Sequence, residues 1–184
     1  SQKLGENFIR EFQDKIDWDV ISCYQQLSEN FIREFKNKIN WWYISFNQKQ
    51  KLSEEFFREF QDKVNWINIS QYQRVSEEFI REFQDEVNWE FISYFQKLSE
   101  KFIEEFQDKV NWANISFKQK LSKEFILKFQ NVVNWKFLLK KYGYELEFFD
   151  DKYQIKSNNY CSDLLDFPEL VNMTLRLFSL KTFQ

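Results

Sequence analysis

The chain has no histidine, two glycines, one proline, two cysteines and one methionine in 184 residues. Without histidine, the commonest general base and the usual nitrogen ligand of zinc are missing. Two glycines cannot build a phosphate-cradling loop. Their scarcity, with that of proline, removes the turn punctuation of a β-sandwich or barrel. Cys23 and Cys161 stand far apart and outside any paired spacing, so neither a disulfide framework nor a zinc motif is implied. No apolar run approaches the ~18 residues of a membrane span. No basic start followed by an apolar core reads as a signal peptide. These absences lead to the expectation of a cytoplasmic, non-enzymatic protein with no cofactor and no membrane span. Lys and Arg number 26 against 29 Asp and Glu, a net charge of −3. Binding of a nucleic-acid backbone needs clustered basic residues, so this balance disfavours it. The chain opens on Ser1 rather than Met, as a piece of a longer array would.

Aromatic residues are plentiful, at 21%, and 23 of them are Phe. Trp18, Trp41, Trp66, Trp89, Trp112 and Trp135 recur at gaps of 23, 25, 23, 23 and 23 residues. Nearly the same phrase surrounds each, as in Leu98-Ser99-Glu100-Lys101-Phe102-Ile103-Glu104-Glu105-Phe106 running on to Asn111-Trp112. A period of this length marks a stack of small supersecondary units. Such stacks present a long surface to a partner rather than enclose a reaction.

Each unit reads as two short helices. The first is expected from Ser28 to about Ile39, and at the same place in the other units. Ser28, Ser53, Ser76, Ser99 and Ser122 suit the N-cap. Phe31, Ile32, Phe35 and Ile39 form one apolar stripe at helical period. Glu29 with Arg33, and Glu34 with Lys38, are expected as i,i+4 pairs on a solvated face. The same pairing returns as Glu54–Arg58, Glu59–Lys63 and Glu77–Arg81. The second helix is expected to start after Asp17, Asn40, Asn65, Asn88, Asn111 and Asn134, all good N-caps. Trp, then Ile three later, Ser four later and Gln seven later (Trp18, Ile21, Ser22 and Gln25 in the first unit) share about one third of the circumference. The Ser hydroxyl can bond back to the carbonyl four residues earlier. The Gln can satisfy backbone groups of the adjoining unit. The constancy of the Trp and its apolar neighbours favours packing over a stacking platform for bases or sugars.

The rest of the second helix differs from unit to unit. Positions held constant carry the stacking; positions free to differ face something else. Trp42, Tyr43, Phe46, Ile67, Gln71, Phe91, Tyr94 and Phe117 occupy the free arc and form the expected partner-binding strip, since exposed apolar patches tend to be binding sites. The partner expected is a protein, with self-association through the same strip as the confounder. The alternative is a repeat array that binds single-stranded RNA. Carboxylates alternate with bases along the helices, as solvated faces do, rather than pairing for acid–base catalysis. Asn68-Ile69-Ser70, Asn114-Ile115-Ser116 and Asn172-Met173-Thr174 match the glycosylation sequon; the first two borrow the repeat's own Ile-Ser and no secretion signal is visible, so coincidence is expected.

The second linker, Gln48-Lys49-Gln50-Lys51-Leu52, carries two extra residues and should bend the stack rather than break it. After Trp135 the pattern decays: Leu138-Leu139 replaces Ile-Ser and Tyr142 replaces Gln. Residues 144–156 read as a worn seventh unit, with a hairpin around Asp150-Asp151 as runner-up. Pro168 suits the start of a last helix bearing Leu170, Val171, Leu175 and Phe178, a plausible cap.

The phrase Leu-Ser-Glu-Glu-Phe-Ile-Arg-Glu-Phe, followed by Asn-Trp-x-x-Ile-Ser-x-Tyr-Gln, resembles short tandem repeats found in large DNA viruses of amoebae. The resemblance covers residues 4 to about 142 and implies a viral protein of the host cytoplasm. It supplies no active or binding residues. By analogy the units are similar to tetratricopeptide or Sel1-like pairs, though shorter. The expected fold is an all-α, right-handed α-solenoid of about six helix-turn-helix repeats over residues 1–142. A degenerate repeat and a C-terminal helical cap are expected over 143–184.

Overall fold

The computed structural model describes residues 3–47, 52–141, 144–149 and 152–157. The repeats are six helix pairs. They run α1 (Glu6–Glu11) and α2 (Trp18–Tyr24), then α3 (Glu29–Glu34) and α4 (Trp41–Phe46), then α5 (Glu54–Glu59) and α6 (Trp66–Tyr72). The array goes on through α7 (Glu77–Glu82) and α8 (Trp89–Phe95), α9 (Glu100–Glu105) and α10 (Trp112–Lys118), and α11 (Lys123–Lys128) and α12 (Trp135–Lys141). This is the helical-repeat class that the Trp period predicts. Strands β1 (Tyr144–Phe149) and β2 (Lys152–Ser157) follow.

The chain divides into two compact units, Ser1–Lys109 and Val110–Gln184. In the first, α2, α4, α6 and α8 pack side by side in succession. In the second, α10 packs on α12, and α12 lies against β1.

The first helix of each pair is shorter than its apolar stripe suggests. In the second repeat it ends at Glu34, not near Ile39. Phe35 leaves helical geometry at φ −106°, and the Lys38 and Ile39 amides both fold back to its carbonyl. The turn-forming Asn37, or Asp at the same place elsewhere, favours this break. The turn returns Ile39 to the core, so helix and turn together complete the stripe. At the start, the hydroxyls of Ser28, Ser53, Ser76, Ser99 and Ser122 cap as expected, accepting the amide three residues on. Gly5 holds that position in the first repeat and gives no side-chain cap. The second helices begin at the Trp, and the side chains of Asp17, Asn40, Asn65, Asn88 and Asn111 accept first-turn amides.

The core of the first unit is the row of buried Phe and Ile from the first helices, closed by one Ile from each second helix. Phe31, Ile32, Phe56, Phe57, Phe79, Ile80, Phe102 and Ile103 are almost wholly buried, as are Ile44, Ile69 and Ile92.

Residues 48–51 lie outside the described residues, but the stack continues past them, with α6 packed on α4. Residues 144–149 and 152–157 are two paired strands and not a worn helical pair. β1 and β2 are antiparallel, with Tyr144 opposite Ser157 and Phe149 opposite Lys152. The reason is period: Tyr144-Glu145-Leu146-Glu147-Phe148 alternates apolar with charged, as a strand does. The turn at Asp150-Asp151, the expected last helix and Pro168 lie outside the described residues.

Candidate functional site

The faces left for function depend on how consecutive repeats are joined. Side chains that recur from repeat to repeat do the joining, by ring stacking, by hydrogen bonds to a neighbour's backbone or by charge pairing. The Trp stacks on the next first helix: Trp18 lies 5.0 Å from Phe35, Trp41 4.8 Å from Phe60, Trp66 4.7 Å from Phe83 and Trp89 5.0 Å from Phe106. Its indole N–H donates to the carbonyl five residues earlier, as Trp89 does to Gln84 at 2.9 Å. The Trp is therefore packing, though part-exposed rather than wholly buried.

Ser45, Ser70 and Ser116 of the second helices each have two partners. Ser45 Oγ donates to the Trp41 carbonyl at 2.8 Å, and Ser70 Oγ to that of Trp66 at 2.7 Å. This is the back-bond expected from sequence. The same oxygens also accept the amide of the next repeat's cap residue: Asn40 on Ser22, Asn65 on Ser45 and Asn88 on Ser70, each at 2.9 Å. The Gln amide reaches the end of the preceding second helix. Gln73 donates to the Ser45 and Asn47 carbonyls, and Gln96 to those of Ser70 and Gln73. In the second repeat, Asn47 fills this role one position early, donating to the Gln25 carbonyl at 3.0 Å. Its shorter arm goes with a second helix one residue shorter, just before the lengthened linker.

The charged face is a ladder between repeats, not the set of isolated pairs expected. Arg10 pairs with Glu34, Arg33 with Glu59, Arg58 with Glu82 and Arg81 with Glu105, at 2.7–2.9 Å. Each of these Arg also lies over the Phe ring of the next repeat, at 5.0–5.3 Å. The expected Glu29–Arg33, Glu54–Arg58 and Glu77–Arg81 pairs are present at 3.3–3.9 Å. Glu34 instead meets Arg10 of the preceding repeat, and Lys38 meets Asp14 at 3.0 Å, because the break after Glu34 takes Lys38 off the helix. The Glu that opens a first helix accepts the amide of the next Ser cap, as Glu29 does from Ser53 at 2.7 Å. Burial works to raise the Glu29 carboxyl, but the Ser53 bonds and Arg33 outweigh it and hold the group below its ordinary range.

What remains is the outer arc of the second helices. Trp42 is 48% exposed and Ile67 51% exposed. Tyr43, Phe46, Gln71, Phe91 and Tyr94 are half-buried, and Phe117 is exposed in the second unit. Trp42 stacks on Phe46 at 5.4 Å, and Phe46 meets Tyr72 of the next second helix edge-on at 4.6 Å. Phe91 and Tyr94 both touch Phe95, at 6.0 and 4.7 Å. In the second unit Phe117 lies 5.6 Å from Phe137. Ring contacts thus run from α4 to α6, and a separate aromatic group stands on α8.

Sequence reasoning missed the position six residues after the Trp. Tyr24, Tyr72 and Phe95 hold it, Tyr24 and Phe95 being among the exposed large apolar side chains. Two residues further on, Arg74 and Lys97 are exposed. The signal was present as an aromatic before the constant Gln. Conversely, Asn68 lies on the variable arc but is buried, its amide donating to the Trp42 carbonyl at 3.0 Å. That bond also occupies the nitrogen a glycan would need in Asn68-Ile69-Ser70.

Among the described residues, no group of His, Cys, Asp and Glu is arranged to hold a metal ion, and no helix is long and apolar enough to cross a membrane. Among the same residues, no buried side-chain nitrogen or oxygen lacks a partner. The class defined by these features is a tandem array of two-helix repeats. No protein-family model, curated protein or solved structure matches the chain.

Proposed function

We propose that this protein is a non-enzymatic scaffold that binds a protein partner through the outer arc of its second helices. The observation that supports it is the exposure of Trp42 and Ile67 beside the half-buried Phe46 and Tyr72, on helices whose stacking is carried by other residues. A Trp at half exposure is costly to leave in water, and Trp and Tyr dominate interface hot spots. The short viral repeats that the sequence resembles are its proposed relatives.

The test is binding by variants that fold. Trp42→Ala and Tyr94→Ala should keep the wild-type circular dichroism and melting curve. Partner captured from host extract on immobilised protein, then purified and titrated, should bind each variant at least about tenfold more weakly, a loss of roughly 1.4 kcal/mol. Unchanged affinity in both variants would remove the strip from the reading. Single-stranded RNA is the second reading, favoured by Tyr72 with Arg74 and Phe95 with Lys97, an aromatic and a base in each of two consecutive repeats. Retardation of a single-stranded RNA at low salt, abolished by Arg74→Glu with Lys97→Glu, would replace the protein partner by RNA.

A further inference from the structure

The two ends of the repeat array are not chemically alike. The sixth repeat keeps Trp135 but has lost three other groups that would serve a following repeat. Leu139 stands where the other units have the bridging Ser, Lys123 where they have the Glu that accepts the next Ser amide, and Leu127 where most have the ladder Arg. The first repeat has lost almost none of the groups that receive a preceding one. Phe8, Phe12 and Ile16 match Phe31, Phe35 and Ile39, the seat on which Trp18 of the preceding repeat lies. Glu11 matches Glu34, the acceptor of Arg10, and Lys15 matches Lys38, which pairs with Asp14 and lies over Trp18 at 5.9 Å.

The seat is open. Phe8 is 47% exposed, whereas its counterparts Phe31, Phe56, Phe79 and Phe102 are 0% exposed. Phe12 and Ile16 are half-buried where Phe35 and Ile39 are buried, and Glu11 and Lys15 are exposed. Terminal units of a solenoid normally turn a polar face outward. Here the apolar triad is intact, its two Phe rings 4.6 Å apart. One element departs: Gly5 replaces the Ser cap, so only a backbone amide is there to meet a preceding Glu. Space for a side chain at Gly5 is open.

We propose that the face formed by Phe8, Phe12, Ile16, Glu11 and Lys15 is an interaction surface for a further two-helix repeat of the same class, one that continues the stack beyond α1. The partner presents a Trp to Phe8 and Phe12, a Ser hydroxyl to the Asp17 amide, an Arg to Glu11 and an Asp to Lys15. What identifies it is the same interface seen between the first and second repeats.

The probe is one added repeat: a copy of Ser76–Leu98 joined directly to Gly5 in place of residues 1–4. Amide exchange of α1 and its turn should slow by about tenfold or more, toward the rates of α3, and the melting temperature should rise. Changing the copied Trp to Ala should abolish both effects. Phe8→Ser gives an independent reading: it should be nearly silent in the parent chain and strongly destabilising in the extended one. Unchanged α1 exchange, or equal effects of Phe8→Ser in the two chains, overturns the proposal. Sedimentation of the parent chain decides the occupant. Concentration-dependent association abolished by Phe8→Glu would make the occupant a second copy and overturn the assignment to a stack-continuing repeat.

Discussion

Ser70→Ala tests whether the joints between repeats are held by hydrogen bonds or by apolar packing alone. Ser70 is wholly buried, and its hydroxyl donates to the Trp66 carbonyl at 2.7 Å while accepting the Asn88 amide at 2.9 Å. The first bond is cheap to lose, because a helical carbonyl keeps its main-chain partner. The second is not, because the amide of a cap residue has no intrahelical acceptor. Removing the oxygen leaves the Asn88 N–H in a part-buried joint with no acceptor, a cost of about 1–3 kcal/mol. The void left by one oxygen adds little. In a stack whose stability is a sum of unit and neighbour terms, the loss falls on one joint. Denaturant melts should show the drop in stability. Hydrogen exchange should show α8 losing protection relative to α6, with α2 and α4 unaffected. Ser22→Ala, which frees the Asn40 amide, should cost the same within error. A change under about 0.5 kcal/mol in both, with Asn88 exchange unaltered, would refute the assignment of these bonds.

The other expectations follow from the same joints. Trp89→Ala should cost about 3 kcal/mol in denaturant melts, the low end for a large aromatic, because the ring is part-exposed although stacked on Phe102 and Phe106. Glu82→Ala removes the partner of Arg58 on an open face and should cost under about 1 kcal/mol. A cost equal to that of Trp89→Ala would mean the ladder is structural core. Glu29 titrates below its ordinary range in the folded protein, so its stabilisation is complete above the unfolded pKa of about 4.3 and is lost as pH falls through the folded value. The stability gap between wild type and Glu29→Gln, measured by urea melts, should therefore shrink between about pH 5 and pH 2. A gap that is independent of pH would sink that account.

The local half of this structure was legible in the chain. Asn-Trp marked the second helices to the residue, and the Ser caps marked the first. The apolar stripe identified Phe31, Ile32, Phe35 and Ile39 as core, even though the helix that carries the first two stops before the last. What was not legible lies one repeat away. Glu34 is four residues from Lys38 and 24 from Arg10, and periodicity within a helix favours the nearer partner. The nearer pairing fails because the turn at Asn37 sends Lys38 toward Asp14 instead. The second role of Ser22 was hidden for the same reason. A polar residue held constant on an apolar arc was the available signal, since a buried hydroxyl seeks both a donor and an acceptor. The strand pair of 144–149 and 152–157 was underrated because Phe148-Phe149 matched the repeat while its neighbours had already changed period from helix to strand.

The division between joint and free surface follows from where the joints are anchored. Ser, Gln and the opening Glu bond mainly to main-chain groups of their own or an adjoining repeat, as the Trp N–H does within its own, and main-chain groups are the same whatever side chains surround them. Asn47 shows how far this tolerance goes, since a shorter amide one position early still reaches the Gln25 carbonyl. The side chains of Trp42, Ile67, Tyr24 and Phe95, one or six places after the Trp, make none of these backbone bonds, and all four are exposed. They can therefore vary without disturbing the stack, as Asp19, Trp42, Ile67 and Glu90 do at one such place. A joint built on side-chain packing alone would have tied these positions to their neighbours. A joint built on backbone satisfaction leaves each repeat one outward patch of its own, and that patch is where the proposed partner would bind.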